Sequence, residues 1–398
     1  MKTPDESSLQ YRGWRVVAAC FLMALFCWGF GFYGHGVYLA ELQRLHGWPT
    51  SVISGASTAM NLFGAFLAAC VSSVVARIGP RRLVLFGVAA LGISTGLLAF
   101  VREPWQLYGL YLIMAFGWMG LGLAPISIIL GLWFTHRRGA AISLALNGAS
   151  AGGILIAPAL VFLAGAYGFQ ATMLGATAVM LAVMLPVVLL FVDRPPDRQV
   201  AAGEGAVPLP FTRAMALRNG AYWTITISFA LALIAQAGFL VHQIAFLEPQ
   251  IGRALAGTAV MVTTSMAVVG RLTVGTIIDR FDPRVATALS LVSQIVALAV
   301  MLYTSDPTAL FAACALYGFS VGNIITFPAL IIQREFAPAA FGMVVGLSSS
   351  VAMFIGSTGP GLLGLARDLA GSYAAALILA MVAKAVSAGL VMIRPARK

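Results

Sequence analysis

The sequence predicts an all-α membrane protein of twelve transmembrane helices, arranged as two six-helix bundles related by a pseudo-two-fold axis. Three observations predict it. Bilayer-length apolar runs recur twelve times, basic residues gather in alternate loops, and the second half of the chain repeats landmarks of the first.

The apolar runs come first. Of 398 residues, 60% are hydrophobic and only 9% charged, and the mean hydropathy is +0.95. A soluble domain needs far more charge to cover its surface, whereas a surface facing lipid needs none. A hydrocarbon core about 30 Å thick takes about 20 helical residues. Runs of that length lie near 15–40, 50–76, 82–101, 105–134, 140–165 and 168–192, and again near 220–247, 255–279, 284–303, 307–332, 341–365 and 371–394. They contain glycine and proline, which membrane helices tolerate because neighbouring helices re-satisfy the freed backbone groups. The first run is too long for a signal-peptide core and reads as an uncleaved helix.

The loops set the orientation. Arg12 and Arg15, Arg77 with Arg81 and Arg82, Arg137 with Arg138, and Arg194 to Arg218 fall on one side. Arg280, Arg284, Arg334, Arg394 and Lys398 continue that set, while the alternate loops hold only Arg44, Arg102, Arg253 and Arg367. The positive-inside rule places the first set, and both termini, in the cytoplasm of a bacterial-type inner membrane. Both termini inside requires an even number of spans. The net charge of +11 therefore belongs to topology. It forms no continuous basic face of the kind that nucleic-acid phosphates require.

The repeat divides the chain. Arg77-Ile78-Gly79-Pro80-Arg81 precedes the third run, and Arg280-Phe281-Asp282-Pro283-Arg284 precedes the ninth, at an offset of 203 positions; Pro125 and Pro328 share that offset. Pro158 and Pro360 match with a slip of one residue. Such repeats mark secondary transporters. The expected domains are 1–192 and 220–398, joined by a cytoplasmic linker, 193–219, rich in proline and charge.

Little in the chain suggests catalysis. The four cysteines, Cys20, Cys27, Cys70 and Cys314, lie in apolar segments without metal-ligand spacing and read as small buried hydrophobes. No catalytic triad, nucleotide-binding fingerprint or Walker sequence appears. No enzyme activity, cofactor or metal is expected.

These features resemble the major facilitator superfamily over the whole chain. The loop after the eighth helix matches its cytoplasmic motif at Gly275, Asp279, Arg280 and Arg284; the first copy keeps Arg77 and Arg81 but has Ser72 and Ala76 where glycine and aspartate are usual. In that family the motif helps to latch the cytoplasmic side. A narrower resemblance is to the monocarboxylate and oxalate/formate transporter group. It is carried by Tyr33-Gly34-His35-Gly36, Gly47-Trp48-Pro49-Thr50, Trp133-Phe134-Thr135-His136-Arg137-Arg138-Gly139-Ala140, His242 and Gly270-Arg271. Alternating access of two bundles is the mechanism the resemblance implies.

Arg271 is the most informative residue. A charged residue inside a membrane helix costs at least about 2.5–3.5 kcal/mol and demands a partner. Ala267 and Gly275 flank Arg271 one turn away, and no carboxylate lies deep in any run. An anionic substrate is the natural partner, since guanidinium pairs bidentately with carboxylate. One arginine suits a monocarboxylate. Lys384 is read as snorkelling to the cytoplasmic end. His35 and His242, the embedded groups that titrate near neutrality, are the candidates for a coupled proton. Asn147, Tyr317 and Asn323 lie on helices that flank the family's cavity, and Phe32 and Trp118 could line an apolar wall.

The function expected is therefore transport of small organic anions, monocarboxylates foremost, by a monomer, with a coupled proton as the leading reading and anion exchange, or symport in which the substrate itself takes the proton, left open. Efflux of a hydrophobic or aromatic compound is the alternative, and a non-transporting membrane sensor a third reading. A reporter fused after Lys398 should be cytoplasmic; activity of a periplasm-specific reporter there would break the even-span topology.

Overall fold

The computed structural model describes residues 6, 8, 10–192, 212–337 and 340–394, without the side chains of Ile277 and Asp279. Most of the expected linker, residues 193–211, lies outside the described residues. Those described form helices and no strand.

Twelve helices are long and apolar enough to cross a bilayer. They are α1 (Gly13–His46), α2 (Thr50–Ala68), α3 (Pro80–Phe100), α4 (Pro104–Trp133), α5 (Arg138–Tyr167) and α6 (Phe169–Phe191). The second six are α7 (Gly220–Ile251), α8 (Arg253–Thr276), α9 (Pro283–Tyr303), α10 (Pro307–Glu335), α11 (Phe341–Ala370) and α12 (Tyr373–Met392). Each overlaps an expected run. The largest difference is at α2, which ends at Ala68 and resumes after a turn as the short helix Val71–Ile78. The turn exposes Cys70, so this cysteine is not the buried hydrophobe expected, whereas Cys20, Cys27 and Cys314 are buried. Exposed side chains such as Phe66, Trp105 and Leu272 give the chain an apolar exterior that only lipid can cover.

The chain divides into two compact units, Met1–Gly47 with Ala59–Ala202, and Trp48–Thr58 with Gly203–Lys398. The start of α2 thus groups with the second unit. There the Asp368 carboxylate accepts the backbone N–H groups of Thr50 (3.2 Å) and Ser51 (2.7 Å), two donors that the helix itself cannot satisfy.

In the first unit α1 lies against α5 at backbone distance. A Cβ at Gly148 would sit 2.0 Å from the carbonyl oxygen of Phe21, and one at Gly152 would sit 2.5 Å from that of Leu25. Both helices also contain a single π-helical turn, Gly29–Tyr33 and Gly152–Ile156, and these turns touch. Glu6, ahead of α1, accepts the N–H groups of Thr135, His136 and Arg137 before α5. Burial alone would raise its pKa, but these amide bonds outweigh burial and hold it below the ordinary value.

In the second unit the same close approach joins α8 to α10. Added Cβ atoms at Gly270, Gly318 and Gly322 would lie 1.9, 2.2 and 2.1 Å from the carbonyl oxygens of Phe319, Thr263 and Ala267. Gly318 and Gly322 form the small-xxx-small spacing that lets membrane helices meet without side chains between them.

The repeated prolines act on the backbone as their pairing suggests. A proline has no N–H and its ring clashes with the carbonyl four residues earlier. α4 breaks at Gly122, just before Pro125, and α10 breaks at Ile325–Thr326, just before Pro328. Pro158 follows the π-helical turn of α5, and Pro360 follows the break in α11 at Ser357–Thr358.

Gly322→Leu should therefore disrupt the α8–α10 contact, whereas Gly346→Leu, at a site with open space around it, should be tolerated. We expect the first to lower the thermal midpoint or abolish the monodisperse peak in size-exclusion chromatography, overpacking typically costing about 1–3 kcal/mol. Equal behaviour of the two variants would refute the contact.

Candidate functional site

The break in α10 creates an acceptor for Arg271. Past the break, the N–H of Thr326 bonds to the carbonyl of Asn323 instead of continuing the helical ladder to Gly322. Arg271, about one and a half turns before the end of α8, donates from Nε to the Gly322 carbonyl at 3.2 Å. Gly270 and Gly322 hold the two helices close enough for this bond. The rest of the guanidinium, half-buried, has no carboxylate partner among the described residues. A fixed cation with free donors on a membrane helix is suited to an anionic ligand.

Asn323 is buried beside this acceptor, and its amide donates to the Phe319 carbonyl of its own helix. Tyr317, two turns back, is fully buried, its ring 4.6 Å from that of Phe239 in the core. In the first unit, Trp118 packs on Trp28 at 4.7 Å and is half-buried, as is Phe32. Asn147 is exposed on α5.

The histidines occupy different settings. His242 Nε2 lies 2.9 Å from the Pro360 carbonyl, which can only accept, so this nitrogen carries the proton. Nδ1 faces the hydroxyl of Tyr373 at 3.4 Å. His242 thereby ties α7 to α11 and α12. His35 is fully buried between Tyr111 (4.9 Å) and Tyr38 (6.2 Å), and neither ring nitrogen has a hydrogen-bond partner.

The motif arginines hold helix ends. Arg284 is buried and binds Glu335 with two bonds, at 2.5 and 2.8 Å, joining α9 to the end of α10. It also donates to the Val391 and Ile393 carbonyls at the end of α12. Its repeat mate Arg81 donates to the carbonyl of Val192, just past α6. In each unit the third helix is thus fastened to the last carbonyls of the sixth. Arg77, Gly275 and Arg280 are exposed, and the side chain of Asp279 lies outside the described residues. Neither Glu335 nor the Gly322 carbonyl was among the sequence candidates. The Gly318–Gly322 spacing ahead of Pro328 is the signal that points to the second.

Twelve apolar helices, proline breaks in matched positions and an arginine on a membrane helix with no carboxylate partner among the described residues fit a polytopic membrane transporter. A family model of the Major Facilitator Superfamily matches residues 21–360, and the chain belongs to that superfamily. It is similar to monocarboxylate transporter 13 of Bos taurus, 26% identical over 92% of this chain and 86% of that protein. It is also similar to monocarboxylate transporter 11 of Homo sapiens, 27% identical over 77% of this chain and 67% of that one. Among solved structures, the nucleoside transporter NupG superposes with a TM-score of 0.77 at 16% identity, covering 96% of this chain and 97% of that one. A bacterial homolog of the human lysosomal transporter Spinster gives 0.74 at 16% identity, over 96% and 97%. At these identities the structures establish the fold alone.

Removing one partner of a buried ion pair strands the other charge, which typically costs about 3–5 kcal/mol. Arg284→Ala should therefore lower the thermal midpoint of the purified protein strongly. Arg280→Ala, at an exposed position, should change it little; equal shifts would show that Arg284 does not carry the packing of these helix ends.

Proposed function

We propose that the protein is a secondary active transporter of small organic anions, monocarboxylates foremost, that works by alternating access and carries a proton with its substrate. The observation that supports this reading best is Arg271, whose guanidinium meets a backbone carbonyl and, among the described residues, no carboxylate. A substrate carboxylate supplies the missing counter-charge. The names of the relatives, monocarboxylate transporters 11 and 13, agree with that chemistry.

In this reading Arg271 is the fixed anchor. Asn147, Phe32 and Trp118, each at least partly exposed, contribute from the first half of the chain. Asn323 and Tyr317, both buried, need a change in α10 to meet the substrate. His242 and His35 are the histidine candidates for the proton. Gly275, Asp279, Arg280, Arg284, Arg77 and Arg81 form the cytoplasmic gate motif. The two bundles, 1–192 and 220–398 joined by 193–219, rock about the site as in other inverted-repeat carriers. The protein sits as a monomer in a bacterial-type inner membrane with both termini in the cytoplasm.

The test is a thermal-shift screen of the purified protein with lactate, pyruvate, benzoate and oxalate, run beside Arg271→Ala and Arg271→Lys. A ligand that binds only the folded state stabilises it by about 2.7 kcal/mol at a hundred times its Kd. Monocarboxylates should stabilise the parent. Arg271→Ala should weaken that binding at least tenfold, since a hydrogen bond to a charged group is worth about 1.5–3 kcal/mol. Arg271→Lys should only partly restore it, because an ammonium lacks the bidentate fork. Stabilisation by neutral aromatic compounds alone, unchanged in Arg271→Ala, would instead support efflux of apolar molecules.

A further inference from the structure

Lys384 stands near the middle of α12 with its side chain fully buried. It does not snorkel to the cytoplasmic end as its sequence position suggested. Its Nζ donates to Oε1 of Gln294 at 2.5 Å and lies 5.2 Å from the centre of the Tyr317 ring. No carboxylate among the described residues pairs with it. Gln294, near the middle of α9, is fully buried as well, and its Nε2 has no hydrogen-bond partner. The Tyr317 hydroxyl is likewise buried and unpartnered.

This trio accommodates an amine in either protonation state. As an ammonium, Lys384 is met by an amide oxygen and by the negative face of an aromatic ring. As a neutral amine it presents a lone pair. A half-turn of the Gln294 amide brings the unused Nε2–H to that lone pair. A carboxylate in place of Gln294 would hold the charge permanently; a wholly apolar surround would never admit it.

Three other charged or titratable groups on the helices packed around α12 are engaged elsewhere. On α7, His242 bonds to Pro360 and faces Tyr373. On α9, Arg284 is committed to Glu335 and to the end of α12. On α11, Arg367 pairs with Asp368. Among the described groups that ionise, Tyr317 of α10 is the one that meets Lys384.

We infer that Lys384 is the proton-carrying site of the second unit, taking up one proton when a carboxylate binds at Arg271 and giving it back when the carboxylate leaves. The charge balance is simple. Substrate brings one negative charge to Arg271 and the proton adds one positive charge at Lys384, so the unit has the same net charge full and empty. Loading therefore adds no net charge to what must be carried through the hydrocarbon. The inference rests on the proposed function and names the site of its proton.

The experiment uses proteoliposomes containing the full chain and two probes, radiolabelled pyruvate and lactate, with a trapped pH dye. Uptake driven by a pH gradient is compared with exchange at equal pH for the parent, Lys384→Arg and Lys384→Met. Arginine stays protonated. Lys384→Arg should retain exchange within about threefold of the parent, while gradient-driven accumulation falls at least tenfold and the dye signal disappears. Lys384→Met replaces a buried polar group by an apolar one of similar size, which keeps the test open if arginine does not fit. Its remaining transport should be indifferent to the pH gradient. Gradient-driven accumulation and dye response persisting in either folded variant would overturn the assignment while leaving the transport reading intact. Failure of the parent itself to move either probe would overturn the functional reading and this assignment with it.

Discussion

A backbone in hydrocarbon has no water to bond, so every main-chain donor and acceptor must find its partner within the protein. This constraint governs the rest of the structure. It makes the chain helical, and it makes each interruption of a helix an event with chemical consequences. α10 breaks just before Pro328, and there the N–H of Thr326 bonds to the carbonyl of Asn323 in place of that of Gly322. Arg271 takes the Gly322 carbonyl. Arg271 is thus held by a carbonyl beside the break in α10.

The second consequence concerns distance. Hydrophobic burial does little to hold helices together in lipid, so they associate by close packing and polar contacts. Gly270, Gly318 and Gly322 bring α8 and α10 together until a methyl group would strike a carbonyl. Gly148 and Gly152 do the same for α1 and α5. Side chains on helices this close inherit fixed positions, and Arg271 follows Gly270 directly in the chain.

Charges follow a third logic, set by depth. At a helix end an arginine can be fully paired, and Arg284 is, with Glu335 and the last carbonyls of α12. Away from the helix ends, Lys384 has a neutral partner, an amide, and Arg271, on the last turns of α8, has another, a carbonyl. An ion paired with an opposite charge is locked in place; an ion met by neutral groups is available to a ligand or a proton.

Composition and the lengths of the apolar runs by themselves determined the membrane class and the twelve spans, and the internal repeat is read directly from the sequence. These are legible because hydrocarbon imposes a single criterion, sustained apolarity, that no tertiary contact overrides. Partnerships are different, for they join residues far apart in the chain. Arg284 with Glu335, Lys384 with Gln294 and His242 with the Pro360 carbonyl depend on which helices touch and at what rotation. Lys384 shows the difference most clearly. Its sequence position allowed a side chain stretching to water, but α9 and α10 close over it and leave an amide and a ring. Only the packed helices decided that it stays inside.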